Sequence, residues 1–175
     1  MTTLETSIGK LKIKEGITKS QVKELIHFSN SDSLIQKFTT DQVRFKDVVT
    51  YNKRLKNKIR TYYTLSDDGG KLLGITWFGP KNMPDWFDKK PDYEGYIITF
   101  AIRLYDGARG IGIGHIFLSE TLNLYLNSPQ YKDHGGGKLW CLLEKSNKAA
   151  VRVYKKSGFR SYNKNEGDKI LMLRH

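Results

Sequence analysis

Three residue groups in this 175-residue chain have types and spacing suited to chemistry. The first is the run DGARGIGIGH, Asp106–His115, where Gly110, Gly112 and Gly114 alternate with Ile111 and Ile113 behind Arg109. Glycine lets a backbone approach a ligand with no Cβ in the way, and the first N–H groups of a helix are unpaired and carry partial positive charge. A strand, a glycine loop and a helix in succession therefore suit a phosphate-bearing ligand. The second group is SNKAAVRVYKKSGF, with the spacing N-x-x-A-x-x-x-Y-x-x-x-G-F on Asn147, Ala150, Tyr154, Gly158 and Phe159. A phenol there, with an ordinary pKa near 10, would still be a proton donor at neutral pH. Ala150, Val153 and Tyr154 also fall at helical spacing, so a core tyrosine is the other reading. The third group sets Trp86 and Phe87 among Asp85, Asp88, Asp92 and Glu94, aromatics with carboxylates that suit a cationic amine or form a packing loop.

Spacing narrows the phosphate ligand. G-x-G-x-x-G fails in both frames, because the third glycine would fall on His115 or Phe117, and no Gly-Lys-Ser/Thr closes the loop. R-x-x-G-x-G fits Arg109, Gly112 and Gly114. His134-Gly135-Gly136-Gly137 has no accompanying G-x-S-x-G and reads as a turn. Cys141 lies in an apolar run, where a buried inert thiol is expected. No Cys/His spacing suggests a metal site.

The elements that must position these groups follow from pattern. Residues 9–14 alternate as a short strand, and Thr18 caps a helix through about Asn30. Asp32 or Ser33 caps a second helix, and a third runs from about Asp41 to Lys58. IRTYYTLS and KLLGITWFG form a hairpin about Asp67–Gly70. YIITFAIRL is a central strand, Ile113 to about Leu126 a helix apolar on more than one face, KLWCLLE a second buried strand, and Asn147–Ser157 a short helix. The chain closes as a hairpin turning at Asn165-Glu166-Gly167. The order predicts one α/β (α+β) domain over 1–175, with helices covering a mixed, partly antiparallel sheet. One cysteine, no apolar leader and no apolar run near the ~20 residues of a membrane span fit a cytoplasmic protein, with no membrane contact.

The glycine loop and the Asn147–Phe159 set, in this order and about forty residues apart, resemble the GNAT superfamily of acyl-CoA-dependent N-acetyltransferases. The resemblance covers residues 96–175, and upstream it holds in element order. It implies a sheet whose two central strands, here YIITFAIRL and KLWCLLE, splay to admit acetyl-CoA as cosubstrate. Backbone groups of Ile102 and Leu104 would pair with the pantetheine arm, the Ile102 amide would steady the oxyanion, and Arg109, Gly110, Ile111, Gly112, Ile113 and Gly114 would hold the pyrophosphate. Asn147 would contact the pantetheine, and Tyr154 would protonate the departing thiolate after direct attack by a primary amine. No base stands at Tyr96 or Ile98, where some members place a glutamate; Glu94 acts through water or is a surface carboxylate.

Amine identity stays open among a small molecule, a protein N-terminus or lysine, and an aminoacyl group, with Trp86, Asp85 and Asp88 as candidate substrate contacts. The net charge is +12, part of it concentrated in Lys53, Arg54, Lys56, Lys58 and Arg60. Such a segment suits a nucleic-acid contact or a solvated surface. The rival function is a basic RNA- or ribosome-binding protein without catalysis. A monomer and a homodimer are both compatible with the sequence.

Overall fold

A computed structural model of the chain describes residues 1–57, 59–84, 86, 94–162 and 167–175. Eight strands form one sheet: β1 Thr2–Thr6, β2 Gly9–Glu15, β3 Thr61–Ser66, β4 Leu72–Pro80, β5 Tyr96–Leu104, β6 Lys138–Glu144, β7 Arg160–Ser161 and β8 Lys169–Arg174. Their spatial order is β1-β2-β3-β4-β5-β6-β8-β7, and every neighbouring pair is antiparallel except β5 and β6. Parallel neighbours need a long crossover. Here it is supplied by α5 Ile113–Leu126 and α6 Pro129–Asp133.

Buried runs in β3 and β4 explain their central position, since a strand covered on both faces needs no polar alternation. One face is packed by α5 and α7 Lys148–Lys156 around Phe78, Ile98, Phe100, Leu118, Leu122, Tyr154 and Phe159. The other face is packed by α1 Lys19–Ser31, α2 Ser33–Phe38, α3 Asp41–Arg44 and α4 Val48–Asn57, around Leu25, Ile35, Phe45, Tyr62, Trp77 and Tyr105. α1 opens with a capping box in which Thr18 and Gln21 satisfy each other's backbone N–H.

Several expectations are revised. The helix expected over 41–58 is two helices, because Asp47 Oδ1 accepts from the Thr50 amide and hydroxyl and starts a new turn, while Phe45 is fully buried. Asp32, not Ser33, caps α2, accepting from Leu34 and Ile35. α5 buries one stripe (Ile113, Phe117, Leu118, Thr121, Leu122, Tyr125) and leaves Ile116 40% exposed. β1 and α6 were not anticipated; β1 is an edge strand that alternates half-buried and exposed residues, a weak apolar signal. β7 and β8 pair as the closing hairpin, with Asn165 and Glu166 of its expected turn outside the described residues.

Candidate active site

β5 and β6 stay paired only from Tyr96↔Lys138 to Thr99↔Trp140, with a register shift between Tyr96 and Ile98. Both strands run on, to Leu104 and Glu144, each still paired on its far side to β4 and β8. The gap between them opens into a cavity of about 1670 Å³. Tyr105 N–H donates to the Leu73 carbonyl and Lys81 N–H to the Ile97 carbonyl, so odd-numbered residues of β5 face β4. Strand alternation then directs the backbone groups of Ile102 and Leu104 into the gap. Their carbonyls are already engaged: Ile102 accepts from Arg103 Nη1 at 2.9 Å and Leu104 from Arg109 Nε at 2.8 Å. What this edge offers a ligand is its two N–H groups.

The loop after β5 ends at Gly112, which caps α5 in a left-handed conformation (φ 80°) and supplies no side-chain acceptor. The first-turn N–H groups of a 14-residue helix are thus left for an anion. Gly110 has φ 79°, and a Cβ at either glycine would meet no atom within 4 Å, so the backbone lies open there. Gly114 has a different reason: a Cβ would stand 3.0 Å from Val153 Cγ2 and 3.2 Å from Leu104 Cδ1, so it lets α5 pack on α7 and β5. Ile111 packs inward with Leu73, Ala108 and Phe117 and does not line the cavity. Arg109 is no free charge. Its Nη2 donates to Asp32 Oδ2 at 2.6 Å while Nε holds the Leu104 carbonyl, which ties the loop to the α1–α2 junction.

Tyr154 lies across the gap on α7, 6% exposed, its ring edge-on to Phe100 at 5.1 Å and 6.0 Å from Phe159. Among the described residues its hydroxyl makes no hydrogen bond, and the residue lines the cavity. Burial pushes the phenol pKa up; Cys141 adds to the rise and Arg103 opposes it. Asn147 caps α7, its Oδ1 accepting from Ala150 N–H at 3.1 Å, and also lines the cavity. Cys141 is buried beneath, and burial raises its thiol pKa well above the ordinary value.

No family model matches the chain, and no curated protein matches it in sequence. Solved structures do. AAC(6')-Ib in complex with paromomycin and acetyl-CoA superimposes with a TM-score of 0.67 at 18% identity, over 94% of this chain and 92% of that one. The GNAT domain of S. lividans PAT gives 0.66 at 13% identity, over 98% and 94%. Spermidine N-acetyltransferase from Vibrio cholerae, in complex with CoA and spermine, gives 0.65 at 14% identity, over 94% and 95%. The chain has the GNAT fold.

Within that GNAT fold the cavity passes through the sheet. Phe100, Cys141, Ala150, Val153 and Tyr154 line it on the α5–α7 face; Trp77 and Arg103 line it on the opposite face, with Arg44 and Arg54 from the early helices. Arg103 donates Nε to Asp41 Oδ2 at 2.6 Å and Nη2 to Oδ1 at 3.2 Å, and lies 5.0 Å over the Trp77 ring. Asp41 is fully buried. Burial works against the Arg103 charge and Asp41 for it, with a net upward pKa. Sequence reading passed over this pair, because its members stand 62 residues apart and neither belongs to a motif.

Of the expected substrate contacts, Trp86 is among the described residues. Trp86 packs on the cluster of Tyr96, Trp140, Leu171 and Leu173 and does not line the cavity. Asp85 and Asp88 lie outside the described residues. Glu94 is exposed in the turn before β5 and does not line the cavity either. The basic segment 53–60 does not form one outward patch: Arg54 and Arg60 line the cavity and Lys53 is exposed, while Lys58 and the Lys56 side chain lie outside the described residues. Among the described residues no group of His, Cys, Asp and Glu could hold a metal, and no helix is long and apolar enough to cross a membrane.

Proposed function

We propose that the chain is an N-acetyltransferase that moves an acetyl group from acetyl-CoA to a primary amine by direct attack. The observation that carries this reading is the unpaired amide edge of Ile102 and Leu104, set between the uncapped N-terminus of α5 and the unbonded hydroxyl of Tyr154. These are donors for a diphosphate, an amide-bearing arm and a departing sulfur, in the order a CoA thioester presents them. The fold neighbours described with acetyl-CoA or CoA bound support the same ligand.

In the reaction, the amine nitrogen forms a bond to the thioester carbon and the carbon–sulfur bond breaks. The Ile102 N–H faces the carbonyl oxygen as it gains charge; a preorganised donor of this kind contributes about 3 kcal/mol. Tyr154 gives its proton to the sulfur and recovers one from solvent. The amine's surplus proton leaves to water. The α5 N–H groups, with Arg152 and Lys156 also lining the cavity, hold the diphosphate end.

Calorimetry with acetyl-CoA tests the reading, followed by mass spectrometry of an amine panel. At 100 times its Kd a ligand of the folded state adds about 2.7 kcal/mol, a rise of about 5–11 °C in Tm for a chain of this length. No heat and no Tm rise with any acyl-CoA, beside steeply salt-dependent RNA binding, would favour the catalytically inactive RNA- or ribosome-binding protein instead.

A further inference from the structure

On the face opposite α5 and α7, the cavity wall is cationic. Arg44, Arg54, Arg60 and Arg103 all line it, with Trp77 and Phe38 as its aromatic surfaces. The described carboxylate facing them is Asp41, which Arg103 takes with both oxygens and Arg44 approaches at 3.6 Å. Among the described residues neither Arg54 nor Arg60 has a carboxylate partner, and the Nε of each is buried without a hydrogen bond. Arg54 lies 5.5 Å over the Phe45 ring, and Arg60 donates Nη1 to the Ile59 and Pro80 carbonyls at 3.0 and 2.9 Å. Room for Arg60 is made by Gly79 of β4, where a Cβ would overlap its guanidinium and the Ile59 carbonyl.

Confined like charges are costly, and a cleft that gathers them attracts an anion. Burial depresses the pKa of Arg44 and of Arg60, and the neighbouring Arg54 depresses both further. The diphosphate of a CoA thioester does not account for these groups, because the α5 N-terminus lies beyond the other face of the sheet. Resting on the acetyl-transfer reading, we propose that the acceptor amine carries an anionic group, a carboxylate or a phosphate, and that Arg44, Arg54 and Arg60 receive it.

The same chamber bears on the absent base. Glu144, at the far end of β6, is the one carboxylate among the described lining residues, and His115 stands at the α5 end. Nearby guanidinium groups disfavour an ammonium and lower its pKa. The arginines thus hold the anion and keep the amine in its neutral, attacking form, so that water suffices as proton acceptor. A polyamine or an aminoglycoside, carrying several positive charges, is disfavoured here.

Two matched pairs test this on the full chain: O-phosphoethanolamine against ethanolamine, and glycine against glycinamide, with spermidine as the cationic control. Release of CoA thiol is followed with saturating acetyl-CoA. The anionic member of each pair is expected to show kcat/KM higher by about tenfold or more, the scale of one charge-assisted hydrogen bond. Inorganic phosphate is expected to compete with the acceptor and not with acetyl-CoA. Arg54→Gln should raise KM for O-phosphoethanolamine, leave acetyl-CoA affinity unchanged and move the acidic limb of the kcat profile, which reports the bound amine, to higher pH. Equal or better use of ethanolamine, glycinamide or spermidine by the unaltered chain overturns the proposal. So does tight RNA binding with no response to the small anions. Calorimetry of O-phosphoethanolamine without thioester separates the two readings. Heat that Arg54→Gln abolishes, with no heat from acetyl-CoA, sinks the acetyl-transfer reading and leaves the anion chamber standing; acetyl-CoA heat with none from the anion does the reverse.

Discussion

Replacing Tyr154 by phenylalanine removes one oxygen and leaves the ring between Phe100 and Phe159. The hydroxyl makes no hydrogen bond among the described residues, so no buried partner is orphaned and the folded state loses less than about 1 kcal/mol. For a chain of this length that is a Tm change below about 4 °C. The catalytic cost is larger. A positioned general acid contributes about 10²–10⁴-fold, or about 2.7–5.4 kcal/mol of barrier. Burial raises the phenol pKa, which by itself makes it a poorer donor. The same desolvation raises the pKa of a thiol leaving beside it, so the mismatch stays near the difference between ordinary values of about 10 and about 8.5. The assay is kcat from thiol release at saturating acetyl-CoA, with acetyl-CoA affinity measured separately by calorimetry. Tyr154→Phe should lower kcat and keep that affinity. A thioester of a more acidic thiol should restore much of the rate, since its sulfur leaves without a proton. A variant within about threefold of the parent kcat, far short of the contribution of a general acid, would refute the role.

Asp41→Asn leaves Arg103 buried without its bidentate carboxylate. Breaking such a pair costs about 3–5 kcal/mol, so Tm should fall by about 6–20 °C in calorimetry; a drop under about 3 °C would show that the pair contributes little. Burial pushes Tyr51 and Tyr63 to about 12 and raises Tyr105, Tyr125 and Tyr154 as well. Folded values above the unfolded one of about 10 mean that stability is complete below about pH 10 and is lost as pH rises past it. Tyrosinate absorbance should therefore appear together with loss of ellipticity, and titration of these five near pH 10 in a still-folded chain would contradict the burial. His134 Nδ1 and the Tyr125 hydroxyl share a hydrogen bond of 2.7 Å, and burial, then Arg60, depresses the His134 pKa. Its contribution is present above about pH 6.5 and lost as pH falls through the depressed folded value, an acid limb that should be shallower in His134→Asn.

What could be read without a structure was local. The glycine loop announces itself through residues that permit open backbone, and α5 starts and ends where its apolar run does. Tyr154 stands two helical turns beyond the cap of its own helix, so its position followed from spacing alone. The break at Phe45–Asp47 was legible in principle, because an aspartate three residues before a threonine can cap a helix. It was masked by apolar residues that continue at helical spacing across it.

The sequence by itself determined the succession of strand, loop and helix, a helix start with no side-chain cap after the glycines, and a tyrosine two turns into a later helix. These depend on residues close in the chain, whose dihedral preferences and spacing act before any packing. Only the tertiary structure decided which charges stay free. Asp32 reaches back to Arg109 across 77 residues, and Asp41 to Arg103 across 62. Arg54 and Arg60, read in sequence as part of a basic surface segment, turn into the cavity instead. A charge's partner is set by which faces of the sheet meet, and no local pattern encodes that meeting.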